Sequence, residues 1–155
     1  MAFEIQDVLT PTAIGRIDHF LDDLEGSRAL QYNLEVLDQF GDVMRVRYGD
    51  EVPHLIAAQI TSLRNFMDSR RTALPADLGF PTGHRVGRAT WRFRDGDGTG
   101  ASRSLHARVI ELDAGGNFVR RHQFNDQPNL SQAQIDAALA FLDDQRAKAV
   151  AQILP

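Results

Sequence analysis

Arginine or histidine stands at positions 85, 88, 92, 94, 103, 106, 108, 120, 121 and 122, a cationic run inside a chain whose formal net charge is −4. Many of these positions are two or four apart: Arg88, Arg92 and Arg94, then His106 and Arg108, then Arg120 and His122. In an extended strand that spacing puts side chains on one face. A guanidinium fork grips carboxylate or phosphate through paired hydrogen bonds, and an imidazole beside such a fork is a general base with an oxyanion stabiliser at hand. The same residues therefore point to two chemistries. One is recognition of an anion; the other is proton abstraction by His106 or His122 with Arg108 steadying the charge that develops.

Three antiparallel strands must position these groups, over 84–94, 104–112 and 117–124. Asp113-Ala-Gly-Gly-Asn117 reads as a three-residue hairpin loop with Gly116 where a positive φ is needed. That turn sets Leu112 opposite Phe118, Arg108 opposite His122 and His106 opposite Phe124, and Arg94 then pairs with Ser104. Alternation assigns Ala89, Trp91, Phe93, Leu105, Ala107, Val109 and Val119 to a core face, with Arg121 towards its edge. The other face collects Arg88, Arg92, Arg94, His106, Arg108, Arg120 and His122, with Val86, Ile110, Leu112, Phe118 and Phe124 between them. A slip of one residue reverses a strand's faces. His122 and Arg120 would then become core groups in need of a buried partner, and Glu111 is the nearest.

The elements around the meander follow from periodicity. Ile14, Ile17, Phe20, Leu21 and Leu24 repeat at helical spacing between Thr10-Pro11 and Gly26, which predicts a helix over 11–25. Period two over 31–48, with Asp38 and Asp42 flanking Gln39-Phe40-Gly41, predicts a hairpin with Glu35 opposite Arg45. A helix capped by Asp50 runs to about Thr72, a Pro/Gly-rich loop fills 73–83, and the capping box Ser131-Gln-Ala-Gln134 opens a last helix. The expected architecture is one α+β domain of order α-ββ-α-βββ-α over 1–155: an antiparallel sheet, hairpin plus three-strand meander, packed against three helices, with no internal repeat.

Other chemistries find less support. Without cysteine there is no disulfide framework, thiolate metal site or cysteine nucleophile. Asp95-Gly-Asp97-Gly-Thr99-Gly100 imitates half a calcium loop, but its twelfth position is His106 and strands flank it, so a hairpin loop is the better reading. His19 and Asp23, four apart, suit a surface hydrogen bond on the predicted helix better than a metal. No HExxH or GxSxG motif is present, and no cofactor or metal is expected. A pI near 5.7 and a single lysine, Lys148, argue against nucleic acid, and the arginine preference itself is what a GC-rich coding sequence produces. No apolar run approaches a membrane span, and Met1–Asp7 lacks the basic and apolar regions of a secretory leader, so no membrane contact and a cytoplasmic location are expected.

The leading expectation is a non-catalytic binding or assembly module, self-associating, that offers Arg88, Arg92, Arg94, Arg108, Arg120, Phe118 and Phe124 to an acidic protein segment or an anionic small molecule. The rival is a small cofactor-independent isomerase, cyclase or hydrolase with His106 or His122 as base in a pocket closed by the last helix. The plainest alternative is that acidic helices of the same chain cover the basic face.

Overall fold

Ala13–Leu24 (β1), Ser27–Leu37 (β2) and Val43–Asp50 (β3) are followed by the helix Ala57–Asp77 (α1); Arg85–Asp95 (β4), Arg103–Leu112 (β5) and Phe118–Asn125 (β6) are followed by the helix Gln132–Ile153 (α2). The structure, a computed structural model, describes residues 8–155; the leader reading on Met1–Asp7 lies outside the described residues. All strands join one antiparallel sheet in the order β3-β2-β1-β4-β5-β6. Both helices cover one face: Leu63, Met67 and Leu74 of α1 and Phe141 and Leu142 of α2 pack on Leu21, Leu30, Trp91, Phe93, Leu105 and Val109. Phe66 and Phe141 set their rings edge-on to Trp91 and His19. The opposite face carries no helix. Among the described residues no helix is long and apolar enough to cross a membrane.

The α+β class holds, but the first predicted helix is strand β1, so there are two helices and the order is βββα-βββα. The cause is burial on both faces of a central strand. Ile17, His19, Leu21 and Asp23 point to the helices and all are buried, so two polar residues interrupt the alternation that would have revealed a strand. Gly26 ends no helix. With Glu25 it forms a two-residue hairpin turn in which both residues have positive φ, 49° and 96°. The second helix also runs past Thr72, through Pro75, to Asp77, and Gly79 at φ 66° ends it.

The two βββα halves repeat one another, contrary to the reading of no repeat. The hairpin turns match: Asp38 and Asp113 each accept two backbone N–H groups of their own loop, and Gly41 and Gly116 share φ 81°. After β3 and β6 come Glu51-Val-Pro53-His-Leu55 and Asp126-Gln-Pro128-Asn-Leu130. Glu51 N–H donates to Leu30 O and Asp126 N–H to Leu105 O. Arg71 of α1 donates to the carbonyls of Asp23, Val86 and Gly87; Arg146 of α2 donates to those of Asp95, Ile14 and Gly15. The cross-strand pairs His19/Phe93 and Leu21/Trp91 straddle a local twofold axis that passes between Phe20 and Arg92. The longer β4–β5 loop shifts the spacing between counterparts by about three residues, to roughly 75, which hides the repeat from a fixed-period reading.

Candidate functional site

Strands β4, β5 and β6 build the site on the helix-free face. Cross-strand rows set Arg92 opposite His106 and His106 opposite Asn125, then Thr90 opposite Arg108 and Arg108 opposite Gln123, then Ile110 opposite Arg121. Directly opposed side chains start roughly 5 Å apart, so the rows converge their tips. Between β1 and β6 lies an open concavity of about 520 Å³ lined by Phe20, Arg92, His106, Arg108, Ile110 and Arg121, with Arg88, Thr90 and Gln123 at its sides.

The chain's own carboxylates reach only part of this face. Arg88 holds Asp22 in a two-armed pair at 2.8 Å and 2.8 Å, and Thr90 donates to the same carboxylate. Arg94 holds Asp18 at 2.8 Å and 3.2 Å. Burial alone would raise the Asp22 carboxyl, but hydrogen bonds from Arg88 and Thr90 outweigh it and hold the group below its ordinary range. The Asp22 and Asp18 partners raise Arg88 and Arg94 in turn. Arg92, Arg108 and Arg121 have no carboxylate partner among the described residues. The Arg92 Nε is buried with no acceptor.

One predicted register is corrected. Leu112 does face Phe118, but a bulge follows at once, so Glu111 faces Arg120, Val109 faces His122 and Ala107 faces Phe124. The sister hairpin does the same: Leu37 faces Val43, then Val36 faces Arg45, in place of the expected Glu35. A glycine-ended three-residue loop adjoining a bulge moves the rest of the strand by one residue. Arg120 and His122 therefore leave the basic face, Arg121 and Gln123 join it, Phe124 turns towards the core while still bordering the concavity, and Val119 and Arg121 do not face the core. Phe124 packs against the core and Phe118, 64% exposed, stands at the hairpin end. Val86 is buried in the core too.

On the helix side, His122 Nε2 donates to Glu111 Oε1 at 2.9 Å, His84 Nδ1 donates to Glu111 Oε2 at 2.5 Å, and Arg120 lies 3.6 Å from the same carboxylate. The bonds from His84 and His122 hold the Glu111 carboxyl below its ordinary range. His122 and Arg108, the base and oxyanion stabiliser of the catalytic expectation, thus face opposite sides of the sheet.

No protein-family model, curated protein or solved structure matches this chain. The repeat takes over the part that relatives would play, because each half shows which residues the scaffold itself requires. Buried His19 donates through Nδ1 to Glu51 at 2.6 Å, and Gln145 of α2 donates to that carboxylate at 3.1 Å. At the matching place Trp91 donates through Nε1 to Asp126 at 3.1 Å, and Arg70 of α1 grips Asp126 at 2.8 Å and 2.9 Å. An indole serves where the other half has an imidazole, so the two clusters pin the central strands in the same way. The basic face has no such counterpart. Opposite Arg92, His106, Arg108 and Arg121, the first half has Phe20, Gln31, Asn33 and Val46.

The remaining places hold no comparable chemistry. Asp95, which opens the calcium-like loop, is engaged by Arg146 and Arg103 and accepts from Gly98 N–H, so cations already occupy it. Burial would raise its carboxyl, but the bonds from Arg146 and Arg103 hold it low. Asp97 is brought to about 2 by Thr99 and Ser102. Among the described residues no group of His, Asp and Glu is arranged to hold a metal. A trough of about 780 Å³ lies between the helices, floored by Phe66, Phe93 and Phe141 and lined without a charged residue. Sequence reasoning missed Arg121, Thr90, Gln123 and Phe20. The signal for Arg121 was the second Asp-x-x-Gly hairpin, whose repetition marks the shared bulge.

Proposed function

We propose that the protein is a non-catalytic binding module whose β4–β6 face receives the anionic group of a partner molecule. The observation that carries this reading is that Arg92, Arg108 and Arg121 line one concavity with no carboxylate among the described residues to neutralise them, while Arg88 and Arg94 beside them are paired. Three like charges gathered on one face repel one another, and an arriving anion relieves that cost. Catalysis finds less support. Both helices lie on the far side, so α2 does not close over the basic face, and among the described residues the histidine with an orienting carboxylate is His122, on the opposite face from Arg108.

Backbone NMR titration at low salt with inorganic phosphate, citrate and a hexaglutamate peptide tests the reading. At least one of them shifts the amides of β4, β5 and β6, and the triple variant Arg92→Gln/Arg108→Gln/Arg121→Gln abolishes the shifts. Silence on that face with all three overturns it.

Self-association belongs to the same proposal. Strand β3 is a sheet edge with Val43, Val46 and Tyr48 exposed, and edge pairing between two copies would cover them. Sedimentation velocity then shows a concentration-dependent dimer that Val46→Lys weakens.

A further inference from the structure

Resting on that reading, we infer that the ligand is a small molecule carrying a phosphate group and a flat apolar part, in preference to an acidic polypeptide. The first argument is stoichiometric. The two carboxylates on this face are already engaged: Asp22 holds Arg88 in a flat two-armed pair, and Asp18 holds Arg94 in another with Arg16 also 3.5 Å away. The forks of Arg92, Arg108 and Arg121 rise from three neighbouring strands into one concavity, which asks for an acceptor with more oxygens, out of plane, and more than one negative charge. A phosphate monoester supplies three terminal oxygens and nearly two charges.

Arg92 adds an independent observation. Its cross-strand neighbour at the local axis is Phe20, and its Nε is shut from water without any acceptor among the described residues. A buried unpaired donor costs stability, and this one borders the concavity, where an oxygen of a bound anion would satisfy it.

Size and surroundings favour a compact ligand. A volume of about 520 Å³ suits a small molecule. An extended acidic chain leaving the concavity towards β1 would run past Asp22 and Asp18, whereas a compact anion stays clear of them. Phe20 and Ile110 offer an apolar platform beside the cations.

The test uses the full chain and three probes: inorganic phosphate, phenyl phosphate and a hexaglutamate peptide, titrated by NMR at low salt. Phenyl phosphate binds more tightly than inorganic phosphate, and Phe20→Ala removes that gain. Arg92→Gln and Arg108→Gln each weaken phenyl phosphate about tenfold or more. Arg92→Lys recovers only part of the affinity, and Arg120→Gln, on the opposite face, leaves it unchanged. Binding of hexaglutamate but of neither phosphate overturns this inference and leaves the anion-binding reading standing. Binding of no probe removes both, and phenyl phosphate binding that survives Arg92→Gln overturns the inference on its own.

Discussion

The first βββα half and the second share their fastenings and differ in what they show to solvent. Asp-x-x-Gly hairpins, a bulge after each, a buried acid two residues before a proline, and an arginine from the opposite half's helix clasping the central strands all occur twice. What occurs once is the group Arg92, His106, Arg108 and Arg121 on the open face, and the His84–Glu111–His122 cluster where the first half has buried Val36. Residues that recur in both halves hold the fold. Residues found in one half only are free to serve something else.

The largest effect comes from breaking a shared fastening that differs in charge. Asp126 is buried against Arg70, so Asp126→Ala leaves Arg70 with Asp77 alone and Trp91 Nε1 with no acceptor, and is expected to cost about 3–5 kcal/mol. Glu51→Ala leaves His19 and Gln145 unpaired, a smaller loss of about 1–3 kcal/mol. Urea denaturation of the two variants checks the order. If Glu51→Ala proves the more damaging, the two pins are not equivalent in kind.

Next comes the reverse test, writing the first half's residues into the second. The variant His106→Gln/Arg108→Asn/Arg121→Val is expected to lose phenyl phosphate binding while its stability stays within about 0.5 kcal/mol per site of the parent, since exposed positions away from structural features tolerate change. Thermal and urea unfolding measure one side of this and NMR titration the other. A large fall in stability would make the basic face part of the scaffold.

This division explains which parts of the molecule were legible in the sequence. The two Asp-x-x-Gly hairpin turns, the β4–β5 register with Arg94 opposite Ser104, and the Ser131 cap of α2 each rest on local chemistry, and each is where the sequence puts it. Strand β1 was read as a helix because His19 and Asp23 face inward to meet Glu51 and Arg71, partners far along the chain that no local pattern announces, with Arg28 reaching Asp23 across the turn. The basic face was legible on β4 and β5. On β6 it was read one residue out of step, because a bulge leaves no mark in composition and only the twin hairpin reveals it.

Glu111 separates the halves in its response to acid. Its carboxyl is held below the ordinary range chiefly by His84 and His122. A depressed group contributes stability that is full above its unfolded pKa of about 4.3 and is lost as pH falls through the lower folded value. The protein's melting temperature therefore falls more steeply below about pH 4.5 than that of Glu111→Val, which carries the first half's residue at that place. Parallel curves for the two proteins would show that the cluster carries no linkage.

The smallest effect is also the most direct measure of how alike the halves are. Gly41 and Gly116 sit at the same φ of 81° in loops of one design, and neither has a steric obstacle that the other lacks: a Cβ at Gly41 meets nothing within 4 Å, and at Gly116 only the flexible end of Arg85, 3.5 Å away. Alanine at either position is strained by the left-handed backbone alone, a cost of roughly 1–2 kcal/mol. Because the turns close edge hairpins at opposite ends of one sheet, Gly41→Ala and Gly116→Ala are expected to lower stability equally, within about 0.5 kcal/mol, and to add in the double variant. Unequal losses would mean that one hairpin already carries a strain the other does not. The natural place to look would then be the β5–β6 end, where Glu111, His84 and Phe118 distinguish it from its twin.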